Sequence, residues 1–208
     1  MTLRARLFAW FPTAWLLSCA ACAVAFIIAP SVGLLLGGLA IIYLLPVACY
    51  RAHNALWPLN EGRSFIDAPS YSPWWGGHQF QVVYTAFPAF ETALRLMPGV
   101  YSAWLRLWGS RIGRGVYWPP IADIPDRALL EVGDGAIFGN RIACYAHVIL
   151  RRERTLVLYV RRIRIGERAL VGAGSRLGPG TQIEAGYALP ALTDATIGRR
   201  FRQTEPPC

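Results

Sequence analysis

Over 165–194 every sixth residue is aliphatic: Ile165, Val171, Leu177, Ile183 and Leu189. A Gly follows three of them at once, at Gly166, Gly172 and Gly178. A helix repeats its buried face every three or four residues and a half-buried strand every two, so a period of six fits neither. It fits a solenoid of short parallel strands that turns a corner every six residues, three hexads to a turn, with the aliphatic pointing inward. The Gly positions suit corners where a Cβ would clash or φ must be positive. Weaker hexads come earlier: Ile112, Trp118 and Ile124, then Val132, Phe138 and Cys144. From Cys144 to Ile165 the gap is 21 residues, three more than a multiple of six, so the chain must leave the solenoid there. The pattern predicts a hairpin-like arm over 150–163, in which Arg151-Arg152 and Arg161-Arg162 flank a β-prone centre at 156–160.

The first third reads as a membrane anchor. Residues 13–29 form an uncharged apolar run of 17, Pro30-Ser31 interrupts it, and 32–50 adds 19 more. Each run is close to the ~20 residues that cross a bilayer. A signal peptide accounts for the first run alone, whereas a two-helix hairpin within 1–63 accounts for both. Arg4 and Arg6 at one end, with Arg51 and His53 at the other, place both ends in the cytoplasm. The expected location is therefore the inner (cytoplasmic) membrane, with the remaining chain on its cytoplasmic side. Residues 64–110 are predicted to hold a Pro- and Gly-rich loop carrying His78, then aromatic helices at 79–96 and 98–108. These helices lie in the interface of the inner leaflet or pack over the end of the solenoid. The solenoid is expected over 111–198, and 199–208 forms a basic tail.

Hydrophobic residues make up 54% of the chain and charged ones 16%, which is apolar for a soluble domain and agrees with an anchor. The net charge of +9 comes from Arg without Lys and suits anionic lipid headgroups or phosphorylated ligands. No basic helix or nucleic-acid motif accompanies it, so no nucleic-acid partner is expected. Cys19 and Cys22 form a CxxC inside an apolar run with no second pair. They read as small packing residues, and neither a metal site nor a disulfide framework is expected.

Three phrases, LRLWGSRIGRGVYWPP, VGDGAIFGN and IGERALVGAGSRLGPG, resemble the hexapeptide-repeat acyltransferases. The likeness is greatest to the membrane-linked or sugar-modifying O-acetyltransferases. It covers 105–192, and the anchor resembles the integral-membrane hexapeptide domains that end some peptide synthetases. The resemblance implies a mainly-β fold, a left-handed parallel β-helix carrying the membrane hairpin and interfacial helices. It also implies a homotrimer and a thioester donor, acyl-CoA (acetyl-CoA) or an acyl carrier protein. A His near the excursion serves such enzymes as general base, and here that position is His147, a side chain suited to proton transfer near neutral pH. No acidic residue follows it directly, so its orienting partner is Asp126, Glu131, Asp134 or a backbone carbonyl.

The donor slot implied by the resemblance runs along Gly172, Ala173, Gly174, Ser175 and Arg176, with backbone N–H groups of this Gly-rich stretch facing the oxyanion. Arg199 and Arg200 are placed to meet the donor's phosphates, with Arg168 and Arg202 as further candidates. Asn140, Tyr145, Arg151, Arg152 and His78 are candidates for holding the acceptor, a membrane-associated lipid, glycan or peptide. The expected activity is transfer of an acyl group to a hydroxyl or amine of that acceptor. Two alternatives stand beside it: a non-catalytic membrane scaffold, and amide-forming acyl transfer in peptide biosynthesis.

Overall fold

The computed structural model describes residues 2–66 and 68–202. Cys208 and the end of the basic tail lie outside the described residues. The chain divides into two units: Met1–Leu59 with Ile66–Phe87, and Asn60–Phe65 with Pro88–Cys208.

The first unit is helical: α1 (Leu3–Ala9), α2 (Phe11–Ile28), α3 (Val32–Tyr43), α4 (Leu45–Leu56) and α5 (Pro73–Ala86). The stretch Leu3–Ile28 is 26 residues long and apolar. At 1.5 Å per residue it reaches about 39 Å, enough for a ~30 Å hydrocarbon layer. Among the described residues it alone is long and apolar enough to cross a membrane as a single helix. The pair α3 and α4 bends by 43° and counts at most as one broken span. Pro46 supplies the cause, since without an N–H it leaves the Ile42 carbonyl without its helical donor. The Tyr84 hydroxyl donates to that carbonyl at 2.6 Å, and Trp15 Nε1 donates to the Ile41 carbonyl at 2.9 Å.

The WWGGH segment, predicted as loop, forms the first turns of α5. A Cβ on Gly76 would sit 2.6 Å from His53 Nε2, and one on Gly77 3.1 Å from the Tyr50 ring. The two glycines therefore let α5 close on α4. The helix predicted over 79–96 is broken at Phe87–Pro88, as the missing Pro88 N–H requires.

Among the described residues, the second unit contains α6 (Ala89–Arg95), α7 (Val100–Trp108) and all the strands. In chain order these are β1 (Gly62–Phe65), β2 (Arg111–Ile112), β3 (Ala122–Asp123), β4 (Leu130–Val132), β5 (Ile137–Phe138) and β6 (Ile142–Cys144). There follow β7 (His147–Arg152), β8 (Thr155–Val160), β9 (Ile163–Ile165), β10 (Leu170–Val171), β11 (Arg176–Leu177), β12 (Gln182–Ile183), β13 (Ala188–Leu189), β14 (Asp194–Ala195) and β15 (Arg200–Phe201). Three parallel sheets result, ordered β2-β4-β9-β12-β15, β5-β10-β13 and β3-β6-β11-β14. In the regular part, partners lie 18 residues apart: Ile165 opposite Ile183, Val171 opposite Leu189, Leu177 opposite Ala195. The first turn is longer, with Ile112 opposite Val132 and Asp123 opposite Ala143, 20 residues apart.

The expected mainly-β, left-handed β-helix is corrected. Helix accounts for 40% and strand for 22% of the chain, so the class is mixed α/β with parallel sheets of short strands. The physical reason is that a hexad commits only two or three residues to pairing and spends the rest on turning, while the first hundred residues are dominated by helices. The hexad residues nonetheless fill the interior, since Ile124, Val171 and Leu177 have no exposed surface and Phe138, Leu189 and Ile165 are almost fully buried. At Gly166 an added Cβ would lie 2.6 Å from Ala185 Cα in the next turn, so close stacking of turns requires Gly there. Tyr101, Trp104, Leu105 and Trp108 of α7, the second aromatic helix, are buried within this unit. Ser102 of the same helix accepts from Trp118 Nε1 at 2.9 Å, fixing α7 to the first turn of strands.

The excursion is an antiparallel hairpin of β7 and β8 that begins at His147, three residues before the predicted start. It does not stand alone. Strand β1, unforeseen in the sequence, pairs antiparallel with β8 from Gly62 opposite Val160 to Phe65 opposite Val157. Glu61 adds a carboxylate contact to the Arg162 N–H at 3.1 Å.

Candidate active site

His147 is the first residue of β7, where the chain leaves the parallel sheets. Its partner is set by the 20-residue first turn. Asp123 pairs with Ala143, so Asp126 lies beneath Ala146, the residue before the histidine. Asp126 Oδ2 accepts the Ala146 N–H at 2.9 Å and meets His147 Nδ1 at 2.7 Å. Only 3% of the Asp126 side chain is exposed against 18% for His147, so the carboxylate is shielded and the imidazole reaches solvent. A ring nitrogen facing a carboxylate carries the proton, which places the lone pair of the neutral ring on Nε2. The open choice of partner resolves in favour of Asp126. Glu131 pairs instead with Arg111 and Arg164, and Asp134 accepts the Arg114 N–H at 2.7 Å.

Tyr145 lies two residues before His147, and its hydroxyl donates to Asp123 Oδ2 at 2.6 Å. Burial, then the bond to Asp123, pushes this phenol up to about 12, so it stays a neutral donor. Burial also pushes the Cys144 thiol up to about 12, which keeps it protonated and inert within the core. Along β7, side chains alternate between faces, so Arg151 shares the side of His147 about 13 Å away while Arg152 takes the opposite side. There Arg152 joins Arg63, Phe65, Leu150, Val157 and Tyr159 around a cavity of about 430 Å³. That cavity lies behind the strand that carries His147.

Residues 172–176, expected to form the donor slot, lie between β10 and β11. The N–H groups of Gly172, Gly174 and Ser175 bond to the carbonyls of Leu189, Asn140 and Gly172. Ser175 is fully buried and its hydroxyl bridges the Pro190 carbonyl and the Thr193 N–H. Ala173 accepts the Leu192 N–H in the same stack. Asn140 occupies this corner too, and its Oδ1 accepts the Arg141 N–H at 3.0 Å. The corner lies between the β5 and β6 sheets, whereas His147 stands at the next one, so the structure does not bring these groups together. Arg176 is exposed and ion-paired with Asp194. In the last turn, the Arg199 guanidinium lies 5.9 Å from the Phe201 ring centre, and Arg200 is part of β15. Arg168 makes a loose, exposed pair with Glu167 at 3.6 Å, and Arg202 one with Glu184 at 3.4 Å. His78 belongs to the first unit, stacked on Trp74 at 4.9 Å within α5.

Sequence reasoning missed Glu91, Arg127 and Ser110, all buried near the Asp126 turn. The only trace of them is a charged pair, Asp126-Arg127, set in the apolar phrase IPDRALL. No protein-family model, curated protein or solved structure matches the chain.

Proposed function

We propose that the protein is a membrane-anchored acyltransferase in which Asp126 orients His147 as general base. The observation that carries this reading is the 2.7 Å contact between a buried carboxylate and a partly exposed imidazole. In the proposed step the hydroxyl or amine of the acceptor gives its proton to His147 Nε2 and attacks the carbonyl carbon of a thioester. The carbon–sulfur bond then breaks, and the departing thiolate takes the proton from the imidazolium. Asp126 stabilises the imidazolium while it exists. The helix Leu3–Ile28 supports a membrane-associated acceptor, since tethering raises the effective concentration of enzyme and acceptor in one plane. The flanking Arg residues support a cytoplasmic site. The sequence resemblance supports acyl-CoA or a carrier-protein thioester as donor.

The test is His147→Ala in the full chain. Acyl transfer should fall about 10²–10⁴-fold, the usual worth of a general base. Unchanged thioester consumption would leave the scaffold reading in its place.

A further inference from the structure

The turn that carries Asp126 is held by an unusually charged interior. Glu91 on α6 is 3% exposed and Arg127 1%. Their side chains form a two-bonded fork: Arg127 Nε donates to Glu91 Oε1 at 2.9 Å and Nη2 to Oε2 at 2.8 Å. The third nitrogen, Nη1, turns back and donates to the Pro125 carbonyl at 3.1 Å. The Arg127 carbonyl accepts the Ser110 hydroxyl at 2.7 Å, and Ser110 Oγ in turn accepts the Leu130 N–H at 2.9 Å. The Asp126 carbonyl accepts the Leu129 N–H at 3.0 Å. Three consecutive carbonyls, at 125, 126 and 127, are therefore each fixed by a separate donor. The carboxylate of Asp126 is left aimed at Ala146 and His147.

Such an interior is costly because each buried ion gives up its hydration, and well-packed apolar residues often replace a buried ion pair without loss of stability. Stability alone therefore does not account for Arg127. An apolar side chain of its size would fill the space but would leave the Pro125 carbonyl free to turn.

We infer that Arg127, gripped by Glu91, is a positioning residue that fixes the Asp126 carboxylate against His147 Nδ1. This inference rests on the proposed catalytic role of that pair, and the residue itself touches no substrate. Charge balance makes a clean test possible. Glu91 also contacts Arg95 Nη2 at 3.3 Å, and Arg95 bonds the Tyr101 hydroxyl at 3.0 Å. Removing Arg127 thus leaves Glu91 paired with Arg95, and no buried carboxylate is orphaned.

The experiment is nitrogen NMR of the full chain in detergent micelles with labelled histidine. The chain has three His, so His147→Gln assigns the signal. In the parent, His147 should appear as the tautomer protonated at Nδ1. In Arg127→Met the chain should stay folded by circular dichroism, while the His147 nitrogen signals shift toward a mixture of tautomers. Arg127→Lys keeps the charge but loses the fork, and should give the same result. With acetyl-CoA as probe, kcat should fall about 10²-fold at constant KM, as expected for misplacement on the scale of 1 Å.

Retention of the parent tautomer in either folded variant overturns the inference. Unfolding of both variants also overturns it, because Arg127 would then be needed for the fold itself. If the parent already lacks the Nδ1-protonated tautomer, the Asp126–His147 arrangement fails, and the proposed function fails with it. A parent that shows the tautomer but has no acyl-transfer activity removes only the proposed function.

Discussion

Asp126 and His147 are 21 residues apart and meet because the first turn of strands is two residues longer than the later ones. The break in phase after Cys144 was legible, and His147 begins the strand that leaves there. Asp126 was one of several candidate partners and could not be singled out, because an 18-residue turn would put a different residue under Ala146. Asp126→Asn keeps the shape but places an amide where the proposed function requires a carboxylate to hold Nδ1–H and steady the imidazolium. It should lower acyl transfer by about 10²–10⁴-fold with little change in donor KM, read in a steady-state thioester assay. Cys144 and Tyr145 give a second prediction. Burial raises both groups above their ordinary values of 9.0 and 10.0 to about 12, so the folded chain holds protons that the unfolded chain has released. Their contribution to stability is complete below pH 9 and disappears between pH 9 and about 12. Thermal melts across that window should show falling stability, and Cys144→Ala should flatten the decline.

Among the elements, the short strands were the most legible and the helices the least. Each hexad names its own inward residue, so the buried positions of β4–β6 and β9–β13 follow from spacing alone. Gly166, Gly172 and Gly178 were expected to serve either close approach or positive φ. At Gly166 the contact with Ala185 makes close approach the decisive need. Gly166→Ala should cost about 1–3 kcal/mol by overpacking, and Leu177→Ala about 2–5 kcal/mol by cavity formation, both measured by chemical denaturation. The boundary of α5 was hidden because Gly76 and Gly77 look like loop residues. Only the nearness of Tyr50, His53 and Tyr71 explains why a helix keeps them. Strand β1 was invisible for a related reason: GRSF has little strand character, and its pairing with β8 depends on a segment about a hundred residues away.

For the molecule as a whole, the sequence suggested an apolar anchor followed by a repeat domain, and the structure has a helical first unit and a second unit holding every strand among the described residues. The division runs differently from the one expected, because residues 60–65 join the second unit and α5 joins the first. Sequence order could not reveal an exchange made by long-range packing. The hexad period overstated the share of strand, since it reports where residues point and not how many of them pair. In the proposed function the chain transfers acyl groups at a membrane with His147 as base. The most direct measurement is release of free thiol from acetyl-CoA by native membranes containing the full-length protein, compared with membranes containing His147→Ala at equal abundance. The proposed function predicts acceptor-dependent thiol release from the parent and a loss of about 10²–10⁴-fold in the variant. Equal thiol release from both membranes would contradict it.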